Sequence, residues 1–196
     1  MIFSLLPTKW HCPPLSAQQV QRPQLLARLN QGLAIGHNLT LVVAPAGFGK
    51  TILVSQWLED LRAQHAPASD AVQPAAFTAE GVNVTWLSLD EYDNDLGRFL
   101  QYVAAASAAC FSHSLRQPSA AVGCAATAPL PDLATILIND LAALGAACIL
   151  VLDDYQLIAE ATIHQLLTRL LDHLPQSGGC QRQSQRIRCD DDLWGA

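Results

Sequence analysis

An eight-residue segment that begins at Ala44 has the residue types and spacing of a phosphate-binding loop. It reads APAGFGKT and matches the pattern GxxxxGK[ST], except that Ala44 replaces the first glycine. Gly47 and Gly49 allow backbone conformations that bring successive N–H groups against a phosphate. Lys50 would bridge the outer phosphates of a nucleotide, and the Thr51 hydroxyl would ligate Mg²⁺. A glycine turn that contains Lys-Thr by chance is the alternative.

Two carboxylates follow a short apolar run later in the chain. The residues ILVL at 149–152 precede Asp153 and Asp154, so that both acids lie where an open parallel sheet binds its ligands. Asp153 is suited to hold Mg²⁺ through water, and Asp154 is suited to orient or deprotonate a water that attacks a phosphate. A polar cap on a strand end is the alternative, and the pattern gains weight because it follows the glycine loop.

Strands and helices must position these groups. The apolar run LTLVVAP at 39–45 predicts a buried parallel strand, and the apolar spacing in 52–64 predicts a helix. The loop between them therefore leads into a helix N-terminus, which favours anions. Further strands are predicted at 82–89 and 148–152, and further helices at 98–111, 132–144 and 163–174. Loops are predicted from about 65 to 81 and over 113–131. This alternation predicts an α/β domain with a parallel sheet and right-handed crossovers.

Composition excludes several classes of protein. The 196 residues have a formal net charge of −6 and contain two lysines, Lys9 and Lys50, which argues against a nucleic-acid-binding surface. No apolar run reaches the roughly 18 residues that span a bilayer, and the N-terminus is a poor signal peptide. The acidic segment DEYDND at 90–95 predicts a solvated turn in which Asp95 caps the next helix. We therefore expect a cytoplasmic protein that binds neither DNA nor a membrane directly.

The sequence changes character after Gln176. The remaining residues are almost free of apolar side chains, contain three arginines and a triple aspartate, and follow no regular period. They predict a polar, disordered tail that contributes no buried strand. The predicted organisation is a lead-in segment over 1–38, a partial core over 39–176 and the tail over 177–196.

The order of these segments resembles that of the MalT-like transcriptional activators, large ATP-binding regulators of the LuxR group within the STAND class of P-loop NTPases. The resemblance runs from about Leu5 to Pro175. The matching segments are LLPTK at 5–9, RPQLLARL at 22–29, TLVVAPAGFGKT at 40–51, VTWLSLDEYDNDLGRFLQYV at 84–103 and ILVLDDYQLI at 149–158. APAGFGKT is a usual form of the loop in that family, which normally has a second threonine where Ile52 stands.

The resemblance implies a three-layer α/β sandwich of the P-loop NTPase type, with ATP and Mg²⁺ as cofactors. The nucleotide contacts it implies are Arg22, Ala46, Gly47, Phe48, Gly49, Lys50, Thr51 and Ile52. Thr51 and Asp153 would be the metal residues, and Asp154 the catalytic residue that acts on water. In such regulators the domain is a switch: ATP and an inducer favour an oligomerising state, and a distant C-terminal region binds DNA.

One departure from the family bears on function. The family's sheet is expected to place a fourth strand between the loop strand and the Asp153 strand, soon after Pro175, where this sequence becomes polar. We therefore expect a core that is incomplete at its C-terminal side, as a frameshifted or truncated gene would give. Such a domain would be at most a weak ATPase and would associate with itself or with full-length relatives. A stand-alone P-loop kinase or ATPase and a non-functional fragment are the alternatives.

Overall fold

The computed structural model describes residues 5–15, 20–65, 77–79, 82–110, 129–143, 147–173 and 184–188. The chain divides into two compact units, and each is described by itself. We call Pro13–Gln64 with Pro175–Ala196 the loop unit, because it contains the glycine loop. We call Met1–Cys12 with His65–Leu174 the acidic unit, because it contains the acidic segment and both Asp153 and Asp154.

The loop unit is built on a strand that leads into the glycine loop. Helix α1 spans Pro23–Ile35, strand β1 spans Leu39–Val43 and helix α2 spans Lys50–His65. The buried apolar side chains of the two helices are Leu25, Leu26, Leu29, Leu53, Trp57, Leu58 and Leu61. The Trp57 indole N–H also donates to the Asn30 side chain at 2.7 Å, which links α2 to α1. This hydrogen bond and the burial of apolar side chains on each helix stabilise the loop unit.

The acidic unit contains a three-stranded sheet with helices packed on it. Strands β2 at Phe77–Ala79, β3 at Val82–Ser88 and β4 at Ala147–Asp153 lie in the order β2-β3-β4. Strands β3 and β4 are parallel, and Ser88 lies opposite Asp153. Helices α3 at Leu96–Cys110, α4 at Leu130–Ala143 and α5 at Ala161–His173 complete the unit. Their core is Leu87, Leu89, Phe99, Leu100, Tyr102, Leu133, Ala134, Leu137, Ile158, Ile163, Leu166 and Leu170.

Most elements agree with the sequence patterns. Strands β1, β3 and β4 and helices α2 to α5 each begin and end within two residues of the predicted bounds. The prediction of a loop over 65–81 was wrong at β2, which is too short for a pattern and forms by antiparallel pairing with β3. Helix α1 was not predicted. Of the predicted loop over 113–131, residues 113–128 lie outside the described residues.

The tail prediction was wrong for five residues. Ser184–Arg188 form strand β5, which pairs in parallel with β1 so that Leu39 lies opposite Ser184 and Val43 opposite Arg188. The physical reason is that strand pairing joins backbone N–H and C=O groups, which every residue other than proline carries whatever its side chain. A search for apolar runs cannot find such a strand. The other residues of the predicted tail lie outside the described residues.

Parallel pairing in both sheets confirms the α/β prediction. Strand β1 has β5 as its parallel neighbour, and β3 has β4. None of the helices in the described ranges is both long enough and apolar enough to cross a membrane.

Candidate functional site

The glycine loop has the backbone conformation that its sequence predicts. Gly47 and Gly49 have φ angles of +83° and +72°, a region that L-amino acids with a side chain rarely adopt. A Cβ added at Gly47 would meet nothing within 4 Å, so the backbone angle and not crowding requires glycine there. Helix α2 begins at Lys50, within the loop segment, and the Leu53 N–H donates to the Gly49 carbonyl at 2.9 Å. The loop therefore opens onto a helix N-terminus.

Two cations hold this loop. The Lys50 ammonium donates to the Ala44 and Pro45 carbonyls at 3.0 and 3.2 Å. The Arg22 guanidinium donates to the Phe48 carbonyl at 2.7 Å. No acidic residue occurs between Leu39 and Leu58 along the chain. Two cations at one loop favour an anion there.

The structure brings Arg22, which the resemblance implies as a nucleotide contact, to the loop. A Cβ placed on Gly49 would lie 3.6 Å from Arg22 Nη2, an ordinary van der Waals distance. Arg22 directly precedes α1, whose first residue is Pro23, and proline suits the first turn of a helix. The start of α1 therefore aims a fixed guanidinium at the loop.

The donor set fits a polyphosphate with Mg²⁺. Backbone N–H groups beside positive-φ glycines, a lysine and an arginine match phosphate oxygens, and the half-buried Thr51 supplies a hydroxyl in the first turn of α2. Ala46 and Gly47 are exposed and Phe48 is half-buried. Ile52 is 48% exposed, and its apolar side chain offers no hydrogen bond to a phosphate.

Asp153 and Asp154 lie in the acidic unit, at the carboxyl end of β4. Asp153 is half-buried and is the last residue of the strand, and its carbonyl accepts from the Leu89 N–H at 3.0 Å. Asp154 is exposed and has a left-handed backbone, with φ of 56° and ψ of 30°. Its carboxylate accepts from the Gln156 amide at 2.8 Å. Aspartate tolerates this conformation better than most residues do, which gives a local reason for its type at the turn.

The segment after Asp154 is anchored on α5. Tyr155–Leu157 form a 3-10 turn, and the Tyr155 hydroxyl shares a short hydrogen bond with His164 Nδ1. The two rings also meet edge to face, with 5.4 Å between their centroids. Burial raises the pKa of Tyr155. The phenol therefore stays protonated at neutral pH, and its contact with His164 anchors the turn on α5.

The acidic segment at 90–95 is only partly a solvated turn. The Asp95 carboxylate accepts from the Arg98 N–H at 2.8 Å, which confirms the predicted cap of α3. Asp90 caps the 3-10 turn Glu91–Asp93 in a reciprocal capping box with Asp93. Asp93, however, is fully buried, so the prediction of a solvated turn was wrong at this residue.

The partner of the buried carboxylate is Lys9. Its ammonium lies 2.5 Å from Asp93 and 2.8 Å from Asp90, and 4.7 Å from the centroid of the Tyr102 ring. Burial disfavours the charged forms of Lys9 and Asp90, but their hydrogen bonds and the opposite charges nearby outweigh the effect of burial. They raise the pKa of Lys9 and lower the pKa of Asp90. The sequence carried no signal for this contact, because its two ends lie 84 residues apart.

The comparisons with known proteins agree with this geometry. The AAA ATPase domain family matches residues 17–181, which is most of the chain, and the chain therefore belongs to that family. It is 33% identical to the HTH-type transcriptional regulator MalT of Klebsiella pneumoniae over 174 residues, 88% of this chain and 17% of that protein. It is 32% identical to the MalT of Cronobacter sakazakii over 171 residues, 87% of this chain and 16% of that protein.

These findings confirm the resemblance to a MalT-like NTPase domain and the α/β P-loop fold class. The chain spans about a sixth of the length of the curated relatives it matches. The described residues contain no group of three or more histidine, cysteine, aspartate or glutamate side chains that could hold a metal ion.

Proposed function

We propose that this chain is the Mg-ATP-binding switch domain of a MalT-like transcriptional regulator. The observation that carries the proposal is the loop geometry: two positive-φ glycines lie beside a helix N-terminus, with Lys50 and Arg22 bound to the loop carbonyls. Cations and N–H donors concentrated in this way favour a ligand with several negative charges. A nucleoside triphosphate with Mg²⁺ is such a ligand, and membership of an AAA ATPase domain family supports ATP in particular.

The proposed residue roles follow the family's motif order. Residues 46–52 and Arg22 contact the nucleotide, with Lys50 as a point charge on the outer phosphates. Thr51 and Asp153 are the metal residues, and Asp154 acts on water. Bound Mg²⁺ would neutralise phosphate charge. The support for Asp153 and Asp154 is their position at the carboxyl end of β4.

The proposed biological role is regulatory. The relatives are named HTH-type transcriptional regulators, and the net charge of −6 argues against direct DNA binding by this chain. We therefore propose a cytoplasmic switch in which 39–176 form the NTPase core. Nucleotide binding would favour association with a second copy or with longer relatives, and hydrolysis would be weak.

Isothermal titration of the 196-residue chain with Mg-ATP tests the proposal. We expect binding by the wild type and at least a tenfold loss in Lys50→Ala, since a hydrogen bond to a charged group contributes about 1.5–3 kcal/mol. Arg169→Ala, an exposed change on α5, is the matched control and should bind as the wild type does. A folded wild type that binds no Mg-ATP, or a Lys50→Ala variant of unchanged affinity, contradicts the proposal. Sustained phosphate release would favour a stand-alone ATPase instead.

A further inference from the structure

The Asn94 side chain joins the turn after β3 to the segment after β4. Its amide nitrogen donates to the Glu91 carbonyl at 3.0 Å and to the Leu157 carbonyl at 2.9 Å. Its amide oxygen accepts from the Ala159 N–H at 2.6 Å and from the Glu160 N–H at 3.0 Å. Three of these four partners are backbone groups that lie 63 to 66 residues further along the chain.

Of the side chains that could stand at position 94, only asparagine has the donors, the acceptor and the length that these four hydrogen bonds require. A side-chain amide has two donor hydrogens and an oxygen that accepts two hydrogen bonds, and Asn94 uses all of them. Aspartate has the same shape but cannot donate to the Glu91 and Leu157 carbonyls. Glutamine keeps the groups but moves them by one methylene, and alanine removes them.

The segment that Asn94 holds carries both Asp153 and Asp154. It leaves β4 at Asp153, turns at the left-handed Asp154 and reaches α5 at Ala161. The buried Ile158 fixes its middle, and Asn94 binds the backbone on both sides of that residue. The exposed Asp154 carboxylate is therefore placed by a segment anchored at both ends, and not by contacts of its own in the core.

We propose that Asn94 is a positioning residue that fixes the segment carrying Asp153 and Asp154, the two residues to which the proposed function gives the metal and the water. The proposal rests on the proposed function. Asn94 acts through the backbone of Leu157, Ala159 and Glu160, and touches neither nucleotide nor metal. Its removal would let the segment open locally, because the left-handed turn at Asp154 is not the preferred conformation of an L-residue.

The first test compares nucleotide affinity with and without metal. The full chain is titrated with Mg-ATP and, separately, with ATP plus EDTA. The ratio of the two affinities is the factor by which Mg²⁺ strengthens ATP binding, which we call the metal advantage. We expect Asn94→Ala to lose about tenfold of that advantage while its affinity for metal-free ATP stays within about twofold of the wild type. Asn94→Asp keeps the shape but turns a charged oxygen toward the Glu91 and Leu157 carbonyls, so it should lose the advantage as Asn94→Ala does. Leu137→Ala, a buried change in α4, is the control for lost stability and should keep the full advantage.

The second test does not need a nucleotide. Hydrogen exchange of the free protein should speed up about tenfold at the Ala159 and Glu160 amides in Asn94→Ala, with no change in β3 or β4. An unchanged metal advantage in Asn94→Ala overturns the proposal, and so does unchanged exchange at these amides. A wild type that binds no Mg-ATP overturns the proposed function and, with it, the role of Asn94 toward the nucleotide. The exchange result would then still report separately whether Asn94 holds the segment.

Discussion

We define the acidic edge as residues 90–94 and 153–160. It differs from the glycine loop at 44–51 in how far apart along the chain its contacting residues lie. The loop is eight consecutive residues, and its hydrogen bond with Arg22 reaches 26 residues back along the chain. The acidic edge depends on contacts across 63 residues at Asn94 and across 84 residues at Lys9. A site made of neighbours along the chain carries its own conformation. A site made of distant residues exists only when the unit around it is folded.

The two lysines of the chain illustrate this difference. Lys50 lies in the loop and contacts carbonyls five and six residues away, so its role depends on its neighbours. Lys9 is 8% exposed and neutralises a buried carboxylate from a distant turn. Lysine therefore lies at the proposed ligand site in the loop, whereas at the acidic edge it stabilises the fold.

The largest effect is expected from exchanging these lysines for methionine. Lys9→Met leaves the buried Asp93 without its nearest cation and should lower the free energy of unfolding by about 3 kcal/mol, measured by urea denaturation. Lys50→Met should change stability by less than about 0.5 kcal/mol while it weakens Mg-ATP binding. Adding Asp93→Asn to Lys9→Met should recover part of the loss. Equal stability of the two methionine variants would remove the distinction between the regions.

Glycine substitutions give the next largest effect. Gly47 in the loop and Gly36 after α1 have nearly equal φ angles of +83° and +80°, and neither has an atom within 4 Å of an added Cβ. Each change to alanine should cost about 1–2 kcal/mol of stability, because both backbones are left-handed. Only Gly47→Ala should also weaken Mg-ATP binding, as titration can measure. Weaker binding in Gly36→Ala would show that general destabilisation explains the loss.

Changes at Asp154 should be smaller. Asp154→Ala should lower the free energy of unfolding by about 1 kcal/mol, since alanine tolerates the left-handed backbone less well. Asp154→Asn should leave stability nearly unchanged, because asparagine suits this conformation and can still accept from Gln156. Urea denaturation of the two variants checks this order. A less stable asparagine variant would mean that the charge, and not the backbone, matters at this turn.

The smallest effect expected is a dependence on pH. The pKa of Asp90 is lower in the folded chain than in the unfolded one, so its ion pair with Lys9 contributes stability above the unfolded pKa. That contribution should be lost as the pH falls below about 4 and through the folded pKa. Unfolding measured between pH 7 and pH 3 should show a steeper fall for the wild type than for Asp90→Asn. Identical slopes would exclude Asp90 as a source of the dependence.

What could be predicted from the sequence also differs between the glycine loop and the acidic edge. Strand β1, the loop and helix α2 were predictable because an apolar run, two glycines and a helical period are adjacent features. The Asp95 cap was predictable for the same reason. The partner of Lys9 and the four hydrogen bonds of Asn94 were not, because each links segments that no local pattern connects. Asn94 had one weak signal, its place in a segment that resembles the family.

By itself the sequence determined the glycine loop, the alternation of strands and helices and the family, because backbone angles and apolar periods are properties of neighbouring residues. Tertiary structure alone decided that Lys9 is buried, that Asn94 joins two turns and that the polar residues of β5 pair with β1. The physical reason is that a buried charge and a backbone hydrogen bond are satisfied by whichever group the fold brings near.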